Sequence, residues 1–282
     1  MNTIAEQVAP IAAASEVKVE TPFRRFCTAF LDSKVATTAL IVLGILIFMA
    51  LFAPLISPTN PYDLAVVSIL DSKMPPGTKS LDGVTFLLGT DGAGRDLVSA
   101  MIYGLRISLG VGVMSGIFAM AIGATVGLIA AYFGGRTENI IMRIVDIQLS
   151  FPAILVALIL LAILGKGVDK ITIALIIVQW AYYARTVRGS ALVERNKEYV
   201  LAARVIGLSR FSIMVRHVLP NVMGPVLVIA TINLAIAILS EATLSFLGVG
   251  VPPTEPSLGT LISEGQNYLF SGLWWITIFP GV

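Results

Sequence analysis

The residues of this chain that could do chemistry are few and scattered. Glu241 and Asp146 lie within long apolar runs, and so do Gln179 and Asn233, while His217 stands beside Arg216 in a basic stretch. A charged side chain at the bilayer centre costs about 2.5–3.5 kcal/mol on insertion scales, so such residues face a bundle interior or a water-filled path. Glu241 is therefore either a structural hydrogen-bonder or part of a pathway or gate. Asn233 and Gln179 are bundle hydrogen-bonders or line the same pathway. Asp146 stands three residues after Arg143, close enough to pair with it on one helix face. The sequence offers no Ser–His–Asp set, no intramembrane dyad and no metal-ligand cluster, so no catalytic residue, cofactor site or metal site is assigned. There is no G-x-x-x-x-G-K-[ST] sequence for a nucleotide. Gly92-Ala93-Gly94 lacks the third glycine of a dinucleotide fingerprint; it reads as a tight turn fixed by Arg95 and nearby acids. Cys27 is the only cysteine, which excludes an internal disulfide.

The elements that must hold these residues are apolar helices. Of 282 residues, 56% are hydrophobic and 13% charged, against about 25% charged in an average soluble domain. So few charges cannot cover a soluble surface, and lipid takes that place. The expected fold class is an all-α membrane protein of about six transmembrane helices. Residues 1–20 read as a flexible polar tail, with no basic start or clean apolar stretch to make a cleavable signal. Residues 21–34 read as an interfacial amphipathic helix, capped by Thr21, started by Pro22 and striped by Phe23, Phe26, Cys27, Phe30 and Leu31. The first span covers 35–56. A long polar loop follows over 57–106.

The remainder, 107–282, carries five further apolar segments. These are Ile107–Phe133 with two GxxxG pairs (Gly112/Gly116 and Gly123/Gly127), Ile140–Leu164, Ile171–Ala184, Val222–Leu247 and a run from Leu269. A Pro- and Gly-containing loop fills Val251–Asn267. The final run extends about 21 Å as helix to Val282, short of a crossing, so a sixth crossing is expected to be completed in a longer chain.

Charge sets the orientation. With the N-terminus inside, thirteen of the nineteen Lys and Arg residues fall on the cytoplasmic side, seven of them between Arg185 and Arg216. This makes 185–221 a cytoplasmic loop. Within it, one short helix ends near Ala202, Ala203 and Ile206, closed by Gly207. Ser209 caps a second that runs to about Val218, and Pro220 marks a kink or stop. Ala203 and Gly207 are expected to present a small face that another protein approaches, with Arg204, Arg210 and Arg216 around it.

The order of these residues carries a resemblance. Tyr199-Val200-Leu201-Ala202-Ala203-Arg204-Val205-Ile206-Gly207, then after nine residues His217-Val218-Leu219-Pro220-Asn221, resembles the Glu-Ala-Ala loop of ABC importer permeases. Leu201 stands where that family usually has Glu, and His217 where the general pattern has Ile. The His-x-Leu-Pro-Asn form is similar to the peptide and nickel branch. Leu88–Asp96 with Tyr103–Leu109, Asp146 with Ser150-Phe151-Pro152, and Glu241–Gly250 also resemble segments of dipeptide and oligopeptide permeases, so the likeness covers roughly 23–282.

The resemblance implies a type I ABC importer permease in a bacterial inner membrane, forming half of a path for dipeptides, oligopeptides or a related solute such as glutathione, an opine or a nickel chelate. It implies a second homologous permease, two ABC ATPases and a periplasmic or lipid-anchored solute-binding protein as partners, membrane lipid around the chain, and no nucleic acid. It also implies that Tyr199, Ala202, Ala203, Arg204, Gly207, Leu208, Ser209, His217, Leu219 and Pro220 form the loop that couples to the ATPase. A self-contained channel or ion-coupled transporter is the competing reading, which would show intramembrane charge pairs or an inverted repeat.

Overall fold

The computed structural model describes residues 28, 30–63, 67–80 and 83–282. The tail over 1–20 and most of the helix expected over 21–34 lie outside the described residues. The chain divides into two compact units, Met1–Leu46 and Ile47–Val282.

The helices are α1 (Lys34–Leu51), a short α2 (Ala53–Ile56), α3 (Leu97–Phe133), α4 (Gly135–Ser150), α5 (Ala153–Leu164), α6 (Val168–Glu194), α7 (Glu198–Val205), α8 (Arg210–Phe246), α9 (Leu258–Gln266) and α10 (Trp274–Gly281). One two-residue hairpin, β1 (Thr78–Lys79) with β2 (Thr85–Phe86), lies in the loop before α3. Among the described residues, three helices are long and apolar enough to cross a bilayer: α1, α3 and α8, at mean hydropathy 2.3, 2.0 and 2.4. The pair α4 and α5 makes a fourth span if a 90° bend is allowed within it. In α6 the apolar stretch Ile171–Ala184 is bounded by Asp169 and Lys170 on one side and Arg185 and Arg188 on the other.

Several boundaries differ from those expected, each for a local reason. The α3 helix begins at Leu97, inside the stretch read as loop, because Asp96 is its N-cap: its carboxylate accepts from the Ser99 N–H at 2.8 Å and the Ser99 hydroxyl at 2.6 Å. At 37 residues α3 is about 55 Å long, well beyond the hydrocarbon thickness. The segment expected as one helix over Ile140–Leu164 is bent at Phe151-Pro152. Proline forces its predecessor out of helical geometry, and Phe151 is extended at φ −95°, ψ 142°. The Pro- and Gly-rich stretch after α8 contains α9, started by a reciprocal capping box between Ser257 and Thr260. The α6 helix runs on to Glu194, past the expected end near Arg185.

The core of the larger unit is the packing of α3 on α6, with α8 laid against both. In lipid no hydrophobic gain drives helices together, so close backbone approach must do it. Gly123 and Gly127 provide that approach. A Cβ on Gly127 would collide with the Ala184 carbonyl, and one on Gly123 with the Trp180 carbonyl and the Tyr183 Cβ. Of the other expected pair, Gly112 packs against Ile238, whereas Gly116 has open space around it. Around this contact Leu128, Tyr183, Val187, Val200, Ile213, Val222 and Val226 form one buried cluster, and Val111, Ala157, Leu161, Ile171, Leu175 and Leu244 another.

Gly127→Ala is expected to force α3 from α6 at an overpacking cost of roughly 1–3 kcal/mol, seen as a lower melting temperature in detergent. Gly116→Ala, made where nothing is touched, should be neutral or mildly stabilising. Equal melting of the two variants would remove the close contact from this account.

Candidate functional site

The elbow between α6 and α8 gathers the residues of the expected coupling loop. Its first turn, α7, ends in a Schellman motif: Gly207 adopts φ +85°, the Leu208 N–H reaches the Ala203 carbonyl at 3.1 Å, and the Gly207 N–H reaches that of Arg204 at 3.0 Å. Ser209 then caps α8 by accepting from the Ser212 N–H at 3.2 Å. Of the kink or stop expected at Pro220, the stop does not occur. In a regular α-helix the proline ring would meet the carbonyl four residues back and leave it without a donor. The chain instead widens to a π turn over Ile213–Val218 and continues through Leu219 and Pro220 into the apolar part of α8.

Side-chain hydrogen bonds tie the elbow to both long helices. The Tyr199 hydroxyl donates to Glu194 Oε1 at 2.7 Å, at the end of α6, and lies 3.3 Å from the His217 carbonyl in the π turn. Asn221 Nδ2 donates to the same carbonyl at 2.7 Å, and Lys197 Nζ lies 2.9 Å from Glu194 Oε2. Burial and the Glu194 carboxylate push the Tyr199 hydroxyl up to about 12, so it stays a neutral donor across the physiological range.

The small face expected from Ala203 and Gly207 does not form. Val200 and Ala203, three residues apart, make the inward stripe of α7 and pack on the core with Ile213 and Val218. Gly207 lies past the helix end in open surroundings. The elbow exposes an apolar set in their place: Val205 at 88%, Ile206 at 77% and Phe211 at 73%, with Leu201 and Leu208 beside them and Ala202 also exposed. Arg204 is drawn aside over the Tyr132 ring, 5.9 Å from its centroid; Arg210 and Arg216 are exposed.

Three arginines of α6 and its end brace the neighbouring helices. Arg195 donates to the Ala131 carbonyl of α3, Arg188 pairs with Glu138 of α4, and Arg185 pairs with Asp146 of α4. Asp146 therefore pairs across helices and not with Arg143, as expected from spacing; the bend at Pro152 lets α4 lie along α6.

Deeper in the bundle, Glu241 is wholly buried on α8. Its Oε2 accepts from the Ser108 hydroxyl of α3 at 2.6 Å and its Oε1 from the Ser245 hydroxyl at 2.7 Å. Gln179 and Asn233 are also buried; Gln179 makes no side-chain hydrogen bond, and Asn233 lies beside the buried Tyr183 hydroxyl.

At the other end of α3 the glycine turn is fixed as expected. Asp91 Oδ2 takes the Arg95 Nε at 2.6 Å, and its Oδ1 accepts from the Ala93 and Arg95 N–H groups at 2.9 Å each. Glu264 is a further partner that local spacing does not reveal. From α9 it accepts the Gly92 N–H at 2.7 Å and stands 3.6 Å from Arg95. Burial and the nearby Asp91 raise its carboxyl above the ordinary range.

Glu241→Leu is expected to leave the Ser108 and Ser245 hydroxyl hydrogens without their acceptor in a dry bundle and cost about 1–3 kcal/mol per stranded donor. The measurement is thermal unfolding in detergent, where Glu241→Gln should lose markedly less. Equal loss in the two variants would contradict the hydrogen-bonding role.

Comparison with known proteins places this geometry in a family. Residues 123–282 match the family described as binding-protein-dependent transport system inner membrane component, and residues 21–76 match the N-terminal TM domain of oligopeptide transport permease C. The di/tripeptide transport system permease protein DppC of Pseudomonas aeruginosa (strain UCBPP-PA14) is 37% identical over 93% of this chain and 85% of its own length. The dipeptide transport system permease protein DppC of Escherichia coli (strain K12) is 39% identical over 93% of this chain and 86% of its own. The oligopeptide transport system permease protein OppC of Bacillus subtilis (strain 168) is 39% identical over 84% and 74%. Among solved structures, a chain of the MetNI methionine ABC transporter in inward-facing conformations aligns at TM-score 0.53 and 22% identity, over 66% of this chain and 89% of that one. The bundle and its elbow thus have the type I ABC importer permease fold, and the chain belongs to the family of binding-protein-dependent transport system inner membrane components.

Proposed function

We propose that this permease forms half of the membrane path of an ATP-driven importer for dipeptides or short oligopeptides. The observation that carries the substrate class is the near full-length similarity to permeases named for di-, tri- and oligopeptides. Its partners are a second homologous permease, two ABC ATPases and a solute-binding protein on the outer side. The chain itself carries no catalysis; the ATPases do.

In this reading α7 and its Schellman turn are the docking piece. The apolar knob of Val205, Ile206, Leu208 and Phe211, with Ala202 and Gly207 beside it, enters a groove on an ATPase. Arg210 and Arg216 add charge at its edge, and Ser209 and Gly207 fix its shape. ATP biases the transporter only if one conformation binds it better, and a docked knob carries that bias only if it is joined stiffly to the helices. Tyr199, with His217, Leu219 and Pro220 in the turn beyond it, is the join. The excess of Lys and Arg around the elbow supports placing it, and the N-terminus, in the cytoplasm.

The test is purification of the tagged chain from membranes in mild detergent, followed by reconstitution with the subunits recovered. Recovery of a second permease and an ATPase, with ATP-dependent uptake of small peptides once the binding protein is supplied, is the expected result. A chain that emerges alone, with no ATPase after gentle crosslinking, would indicate a self-contained channel or ion-coupled transporter. Ile206→Asp should cut ATPase recovery at least tenfold while the second permease still co-purifies. Tyr199→Phe should leave both partners bound yet lower peptide uptake per ATP hydrolysed several-fold, because only the hydroxyl tie is lost.

A further inference from the structure

We propose that the exposed ion pair of Asp146 and Arg185 faces the path between the two permeases and reads the charged ends of the peptide as it passes. The inference rests on the peptide-permease reading and adds to it the face that lines the path and a mode of recognition.

Arg185 on α6 pairs with Asp146 on α4, and both side chains are open, at 53% and 62% exposure. The neighbouring brace is more enclosed, with Arg188 at 36% and Glu138 at 16%. The open pair also lies at membrane depth. Asp169 and Lys170 mark the outer end of α6, and Arg185 stands fifteen residues beyond Lys170. That is about 22 Å along a helix, inside a hydrocarbon core of about 30 Å.

Charges at that depth are costly against lipid and belong on a bundle interior or a water-filled path. The faces of the chain differ in this respect. On α3 the exposed residues from Val113 to Ile122 are all apolar, which lipid or another helix can cover. On α4 and α6 the exposed residues include Asp146, Ser150, Tyr182 and Arg185. Beside them opens a cavity of about 270 Å3, whose walls include Leu149, Tyr182, Arg185, Thr186 and Ile229. Water or a polar solute satisfies such a strip and lipid does not. The strip is open on the surface of the single chain, as half of a shared path must be.

A free peptide of any sequence carries an ammonium at one end and a carboxylate at the other at neutral pH. The pair offers the matching set: Arg185 a planar fork for the carboxylate, Asp146 an acceptor for the ammonium. With the path empty the two hold each other and brace α4 on α6. A peptide replaces that one pair with two, so no charge is stranded at either stage. The intramolecular pair competes with the peptide and keeps its hold weak enough for release, as passage through a membrane requires. Termini are common to all peptides, so this mode suits an importer of varied sequences. The cavity equals roughly nine waters at ~30 Å3 each, room for a small dipeptide.

The test uses the complex in lipid nanodiscs, open to reagent from both sides, with labelling read on this chain. Cys27→Ser first makes the chain cysteine-free. In that background Tyr182→Cys should react with a charged, membrane-impermeant thiol reagent, and Ile117→Cys on α3 should react at least tenfold more slowly. Excess dialanine should slow labelling of Tyr182→Cys at least fivefold, whereas N-acetylalaninamide, of similar size but without charged ends, should not. Arg185→Gln should abolish that protection while the melting temperature barely moves, since an exposed ion pair adds little to stability. Equal labelling of the two cysteines, or none at Tyr182→Cys, would overturn the path assignment. No protection by dialanine, equal protection by the two solutes, or protection that survives Arg185→Gln would overturn the reading of the peptide ends. Wild-type complex that imports no peptide in proteoliposomes with its binding protein would defeat the peptide-permease reading itself, and the contrast between Tyr182→Cys and Ile117→Cys would still test the path face.

Discussion

The close approach of α3 and α6 at Gly123 and Gly127 sets the geometry of everything else in the larger unit. Lipid is as apolar as leucine, so the helices gain nothing by hiding side chains from it, and packing must come from backbone contact. With the Ala184 carbonyl seated over Gly127, the end of α6 is carried alongside the end of α3. Arg195 can then donate to the Ala131 carbonyl, and Tyr132 comes within reach of Arg204. The inward stripe of α7 finds Leu128, Val187 and Ala191 already assembled beneath it. A side chain at Gly127 would disturb the floor on which the elbow stands.

Polar groups in this bundle fall into two kinds. Ser108, Glu241 and Ser245 satisfy one another and join α3 to α8, while the arginines at the elbow end of α6 hold α4 and α3. These are fixings, and their partners lie within the chain. Gln179 and Asn233 are the other kind. They are as deeply buried as Ser108, Glu241 and Ser245, and Gln179 finds no side-chain partner within the chain.

Much of this was legible in the sequence, and the rest was not for physical reasons. Long charge-free runs announced α1, α3 and α8, because length and hydropathy alone decide a span. The elbow was legible because Gly207 and Ser209 act locally: one supplies a left-handed turn and the other a cap, whatever surrounds them. The departures came where two local signals competed or where a partner was distant in sequence. Pro152 bends an unbroken apolar run that hydropathy reads as one helix. Ser257 and Thr260 start a helix amid glycines and prolines that suggest a loop. Glu264 meets Gly92 across 172 residues, and Asp146 meets Arg185 across 39, so neither pairing leaves a mark in local spacing. Ala203 was assigned the wrong face because the helix ends before Gly207, and periodicity ceases to hold beyond that end.

The elbow's mechanics follow from how α8 accommodates Pro220. A proline that broke the helix would leave the turn at Gly207 on a loose hinge, and a displacement there would be absorbed before reaching the bundle. The π turn keeps the helix continuous from Arg210 to Phe246 and leaves the His217 carbonyl positioned for side-chain donors. Tyr199 and Asn221 take that position, while the same Tyr199 hydroxyl holds Glu194. One hydroxyl thus touches the end of α6 and the start of α8, the two helices that carry Gln179 and Asn233. A rigid shift of α7 therefore reaches both long helices together, without slack between them.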